Sequence, residues 1–165
     1  MSGTPFVRPV LALVAMAAVL APHQARAADM SAADRAAVFK AAGATKQKDG
    51  RWVICPDDPH GGEATLGEVR DLNGDGRPEA VVVGSGSFCY GQAETGYSLL
   101  SRQADGGWKL VDANNGIPEF LQSHGKDGWP DISVGGPGFC FPVLRWNGNA
   151  YVFNRNEYEG KRCTP

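Results

Sequence analysis

Histidine is scarce in this chain, three in 165 residues, and His23 lies in the N-terminal leader described below. His60 and His124 alone give little from which to build a general base or a zinc site. No apolar run reaches the roughly 20 residues that cross a bilayer as a helix. The longest, Pro9–Ala21, stops well short of that. Charge of one sign is also missing. The 16 Lys and Arg are dispersed among 18 Asp and Glu, for a formal net charge of −2. Without a basic stripe, nucleic acid and anionic membrane surfaces are poor partners. There is no Gly-x-Ser-x-Gly elbow, no His-Glu-x-x-His and no phosphate-cradling glycine loop ending in Lys-Ser/Thr. Nor is there a Cys-x-x-Cys pair to begin a metal cluster.

What is present begins with a leader. Arg8 precedes the apolar run, and the small-x-small site Ala25-Arg26-Ala27 follows it. That order predicts a secretory signal peptide over residues 1–27, leaving a single secreted domain over 28–165. No Cys follows the cleavage site, so a lipidated N-terminus is not expected. Loss of Arg8 and Arg26 takes the formal charge to about −4. The expected location is periplasmic or secreted. All four cysteines, Cys55, Cys89, Cys140 and Cys163, fall in the exported part, so two disulfides are expected in an oxidising compartment. Four cysteines allow three pairings.

The most informative feature is a repeat. Asp75-Gly76-Arg77-Pro78-Glu79 opens a β run that ends in a glycine cluster and Phe88-Cys89-Tyr90. Asp127-Gly128-Trp129-Pro130-Asp131 opens a second that ends in Phe139-Cys140-Phe141, one residue shorter. The chain therefore contains a duplicated supersecondary unit, repeat one over about 66–113 and repeat two over about 117–155. Because Cys89 and Cys140 are equivalent, each is expected to bond outside the repeat, Cys55 to Cys89 and Cys140 to Cys163.

Local signals fill in the rest. Ser31 and Asp34 form a capping box, and Gly43 a stop, for one short helix within 31–43 that docks through Val38 and Phe39. Strands are expected over 51–55, 68–72, 79–84, 96–102, 108–111, 118–121, 131–135, 143–146 and 150–153. Asn147-Gly148 marks a tight hairpin. With 22 Gly and 11 Pro, the fold class is mostly β. Two antiparallel meanders are expected, stacked either as a small sandwich or as two blades of an unclosed propeller.

One loop has the spacing of a chemistry. Asp71, Asn73, Asp75 and Glu79 place side-chain oxygens at positions 1, 3, 5 and 9, with the Arg77 carbonyl at position 7. Ca²⁺ takes six to eight oxygen ligands at flexible distances, and such a loop wraps them about one point. Position 12 is Val82 and a strand follows, so the loop is not an EF-hand. The competing account is an Asx-type turn whose carboxylates accept backbone N–H groups. In the second copy the matching positions are Ser123, Gly125, Asp127 and Asp131, too few for a second site.

Asp-x-Asn-Gly-Asp-Gly-x-Pro-Glu-Ala-Val-Val, residues 71–82, resembles the calcium loop and strand of FG-GAP/VCBS-type repeats. These occur in integrin-like propellers and in bacterial secreted proteins. The resemblance implies Asp71, Asn73, Asp75, Arg77 and Glu79 as ligands of one Ca²⁺, with Glu79 standing where the family usually has Asp. The chain is too short to close a propeller. As a whole it resembles small exported proteins of Gram-negative bacteria.

The expectation for function is an exported, disulfide-stabilised, non-enzymatic binding module. Its partner would be an extracytoplasmic protein or a cell-wall polymer. One variant, by analogy alone, is an inhibitor or immunity protein of a wall-degrading enzyme. The alternative is a small periplasmic hydrolase using carboxylates such as Asp57 and Asp58 with His60. Trp108, Trp129, Trp146, Tyr90, Tyr97 and Tyr151 are candidates for a groove or for core packing. The two Phe-Cys-aromatic segments are the best candidates for a functional surface.

Overall fold

The structure is a computed structural model that describes residues 30–58 and 62–165. The leader and His60 lie outside the described residues. Helix α1, Ala32–Ala41, starts where its cap predicts: the Ser31 hydroxyl accepts the Asp34 N–H at 3.0 Å. The reciprocal half of the box differs. The Asp34 carboxylate takes the Ser31 hydroxyl proton at 2.9 Å instead of the Ser31 N–H, and its other oxygen pairs with Arg102. Gly43, at φ 85°, ends the helix in a left-handed turn closed by the Ala44 N–H on the Phe39 carbonyl.

Among the described residues eleven strands follow as two antiparallel meanders. The first sheet runs in chain order: β1 (Thr45–Lys46), β2 (Trp52–Cys55), β3 (Gly62–Arg70), β4 (Glu79–Ser85), β5 (Thr95–Arg102) and β6 (Trp108–Asn115). The second holds β7 (Ile117–His124), β8 (Pro130–Gly135), β9 (Phe141–Trp146), β10 (Tyr151–Tyr158) and β11 (Lys161–Arg162). Strands β3–β6 carry the first repeat and β7–β10 the second. β1 and β2 extend one sheet, and β11 extends the other.

Several strands outgrow their expected lengths. β3 begins at Gly62, well before the expected 68, and ends at Arg70, so that Leu72 turns into the core. β7 extends to His124, which therefore ends a strand rather than sitting in a loop. A single helical turn, α2 (Ser87–Tyr90), interrupts what reads as glycine-rich loop. Its last residue, Tyr90, lies on the sheet. A Cβ at Gly84 would meet its hydroxyl at 2.1 Å, and one at Gly96 would meet its ring at 2.2 Å. Glycine there admits an aromatic ring rather than a ligand.

The stacking follows from period-2 alternation along β4. Ala80 and Val82 face α1 and join Val38, Phe39, Val69 and Leu100 in one core cluster. Val81 faces the other way and packs with Leu72, Tyr97 and Leu99 against Trp129, Ile132, Val134 and Tyr151 of the second sheet. In the repeat, Ile132 and Val134 are the counterparts of Ala80 and Val82. The second unit thus lays on the first the same face that the first presents to the helix. The sheets stack front to back, as blades do, not front to front as in a two-fold sandwich. The order is helix, first sheet, second sheet.

Candidate binding face and calcium loop

Front-to-back stacking gives the two repeat loops adjacent places. A Cβ on Gly128 would meet the Asn73 carbonyl oxygen at 2.3 Å, so only glycine at φ 76° fits there. In the first loop the side-chain oxygens serve the backbone. Asp71 accepts the Gly74 and Gly76 N–H groups at 2.7 and 2.8 Å, and Asn73 accepts that of Asp75 at 3.0 Å. Asp75 accepts the Arg77 N–H at 2.8 Å and the Arg77 guanidinium at 2.6 Å. That guanidinium also donates to the Arg102 carbonyl.

Glu79 belongs to β4 and points toward the inter-sheet side, where it is 1 % exposed. Its oxygens accept the Leu72 N–H and the Ser101 hydroxyl, each at 2.8 Å. Burial pushes its pKa up to about 7, against the pull of those two hydrogen bonds, and the nearby Asp75 and Asp71 charges add to the rise. The loop therefore brings Asp71, Asn73 and Asp75 around one turn and sets Glu79 beneath it. Among the described residues no three His, Cys, Asp or Glu side chains gather as a ready metal cluster. The donor chemistry nevertheless suits a hard cation, because each carboxylate oxygen that accepts one N–H keeps a lone pair. The Arg77 guanidinium would have to leave Asp75.

The second copy is built differently. Asp131, fully buried, meets Arg145 through two bonds of 2.8 and 2.7 Å, Arg155 at 2.8 Å and the Ser123 hydroxyl at 2.6 Å. Burial alone would raise its pKa, but the hydrogen bonds from Arg145, Arg155 and Ser123 outweigh that and hold it well below the usual carboxylate range. Arg155 also pairs with Glu157. This ion network lies on the side of β8 opposite Ile132 and Val134, away from the first sheet.

That outer side is the second unit's counterpart of the surface on which the first unit receives a sheet. Val81 and Val83 are replaced there by Ser133 and Gly135. Among the described residues no helix covers it as α1 covers the other end of the stack. Two contiguous depressions of about 380 Å³ each cross it, sharing Glu119, Ser133 and Phe141. Phe139 is 72 % exposed and Ile117 63 %. Tyr158 joins Phe139 and Phe141 in a ring cluster, with 6.3 Å between centroids in each pair.

The disulfides join Cys55 to Cys89 and Cys140 to Cys163. Each anchors the turn after a repeat's second strand to a segment outside the repeat. Phe88, 64 % exposed, stands beside one and Phe139 beside the other. Crosslinks of this kind are sustained in an oxidising, extracytoplasmic environment. Among the described residues no helix is long and apolar enough to cross a membrane.

The remaining candidates divide cleanly. Trp129, Trp146, Tyr97 and Tyr151 pack between the sheets, Trp108 packs against the helix-side core, and Tyr90 lies over Gly84 and Gly96. None of these six lines the two depressions; their rings are Phe141 and Tyr158, with Phe139 edge-on to Tyr158 beside them. Sequence reading missed Glu119, Arg145, Arg155 and Tyr158. The alternation of Glu119, Leu121 and Ser123 along β7 was the one signal that could have found part of that face. Asp57 is exposed and Asp58 buried. No family model, curated protein or solved structure matches the chain.

Proposed function

We propose that this chain is an exported, non-enzymatic binding module that engages an extracytoplasmic protein or a cell-wall polymer through the outer face of its second sheet. One observation carries the reading: among the described residues the front-to-back stack is capped by a helix at one end and left without a covering layer at the other. Exposed rings and a trough lie at that open end. Contiguous exposed apolar surface rimmed by polar groups is characteristic of interaction sites. The disulfide beside Phe139 holds the rim in shape, which lowers the ordering cost of binding.

Ca²⁺ belongs to this reading as a structural ion in the 71–79 loop. The buried Glu79 lies under the loop with no cationic partner among the described residues, whereas its counterpart Asp131 has two arginines. Asp71, Asn73, Asp75 and the Arg77 carbonyl would hold the ion, with Glu79 as the inner neighbour that its charge relieves.

The test is capture from a cell-envelope extract by the oxidised protein, beside Phe139→Ser and Ile117→Ser, both at exposed positions. A component held by the wild type and lost by both variants, at unchanged melting temperature, supports the outer face. A component captured equally by all three refutes it.

A further inference from the structure

We infer that the trough on the outer face accepts an extended, Lys- or Arg-bearing segment of a partner protein. This rests on the binding reading above and adds to it the chemistry of the occupant.

The trough follows from side-chain size. Ile117 faces Gly135 across β7 and β8, Ser133 faces Val143 across β8 and β9, and Phe141 faces Glu157 across β9 and β10. On β8 the face carries the small Ser133 and Gly135, with the buried Val143 beside Ser133 on β9, so the floor drops between Glu119 of β7 and Phe141. Four strands at about 4.8 Å spacing span roughly 15 Å, the reach of four or five extended residues. One end is apolar, with Ile117, Pro137 and Ala93, and the other passes Tyr158 to the Glu159-Gly160 turn.

Its charge has one sign. Glu119, Glu157 and Glu159 line the two depressions, and among the described residues no Lys, Arg or His does. Glu157 is taken up by Arg155, and Arg162 stands opposite it on β11. Glu119 and Glu159 are left as the exposed carboxylates, one on each side of the floor. Between them stand Phe141 and Tyr158. A carboxylate beside an aromatic ring attracts a cationic side chain twice over, by ion pairing and through the ring face, while its methylene stem covers the ring. An acidic partner would meet uncompensated like charge here. A neutral sugar chain would use the rings and gain nothing specific from the two isolated carboxylates.

The experiment titrates the oxidised protein with three probes: a short peptide alternating Lys and Thr, its Glu-for-Lys counterpart, and a soluble chitin oligosaccharide. The Lys peptide should bind, and its affinity should fall steeply with salt. Glu119→Gln combined with Glu159→Gln should weaken it about tenfold, and Tyr158→Ala by a similar factor. All three positions are exposed, and a melting curve checks the fold of each variant. Failure of the Lys peptide to bind, equal binding of the Glu peptide, or indifference to the variants overturns the inference. So does preference for the oligosaccharide. If envelope capture is lost in Phe139→Ser and Ile117→Ser while the Lys peptide is ignored, the face stands and its cationic occupant falls.

Discussion

Glu79 and Asp131 occupy the same place in the repeat, the first residue after Asp-Gly-x-Pro, and both are withdrawn from water. Their surroundings diverge at the cross-strand neighbour. Ser101 lies opposite Glu79 on β5 and donates one neutral hydrogen bond. The corresponding residue of β9 is Arg145, which grips Asp131 with two charged ones. The difference follows the stacking. Glu79 is on the side buried against the second unit, where the neighbouring β5 positions are the core residues Tyr97 and Leu99. Asp131 is on the unstacked side, where long side chains can fold over it. A duplicated motif thus acquires opposite electrostatics once one copy is inside the stack and the other ends it.

The sharpest way to break this contrast is to remove the cation. Arg155→Met leaves Asp131 buried with half its compensation and strands Glu157 as well. Breaking a buried pair from one side costs about 3–5 kcal/mol, and we expect about 3 in chemical denaturation because Arg145 remains. Adding Asp131→Asn to Arg155→Met should cost less than the two single changes together. Strict additivity would mean that the network is not a unit.

Calcium sharpens the comparison from the other side. A ligand that binds only the folded state at about 100 times its Kd stabilises by about 2.7 kcal/mol, several degrees for a domain of this size. The melting temperature in millimolar Ca²⁺ should therefore exceed that in EDTA, and Asp75→Asn should abolish the difference. Asp127→Asn, in the second loop, should leave it intact. Equal melting in Ca²⁺ and EDTA would reduce the first loop to a turn.

The two carboxylates also predict opposite limbs of a stability–pH curve measured in EDTA. Glu79 has a folded pKa of about 7, above the 4.5 of the free side chain. The folded state therefore holds the proton longer, and stability is fully present below pH 4.5 and lost as the pH climbs to about 7. We expect up to about 2 kcal/mol from this limb. Asp131 is shifted the other way, so its contribution is present above the ordinary carboxylate range and lost as the pH falls below it. Glu79→Gln should flatten the upper limb alone. An upper limb unchanged in that variant would place the titrating group elsewhere.

Much of this architecture was legible in the chain, because the decisive signals are local. Ser31 and Gly43 bracket α1, Val38 and Phe39 mark its buried side, and alternation places β4 and β5. The Asp-Gly-x-Pro-acid frame exposed the duplication. The direction of stacking was not legible: Val81 and Ser133 are equivalent in the repeat, yet only burial shows that one is covered by a sheet and the other is not. The outer face was hidden for the same reason. Glu119, Phe141, Glu157 and Tyr158 come from three strands, and no spacing in the chain announces that they meet.

The smallest effect tests the capped end against the open one. Ser31→Ala removes the hydroxyl that accepts the Asp34 N–H and donates to its carboxylate. An N-cap of this type is worth about 1 kcal/mol, and we expect that or slightly less, since Arg102 still holds Asp34 at 2.6 Å. The loss should appear as faster amide exchange in α1 and in the β4 residues beneath it, Ala80 and Val82, with Ile132 and Val134 unaffected. A helix that serves only as a lid on the first unit requires this asymmetry. Matching exchange in both sheets would show instead that the stack opens as one body, in which case the uncovered face of the second unit is as rigid as the covered face of the first.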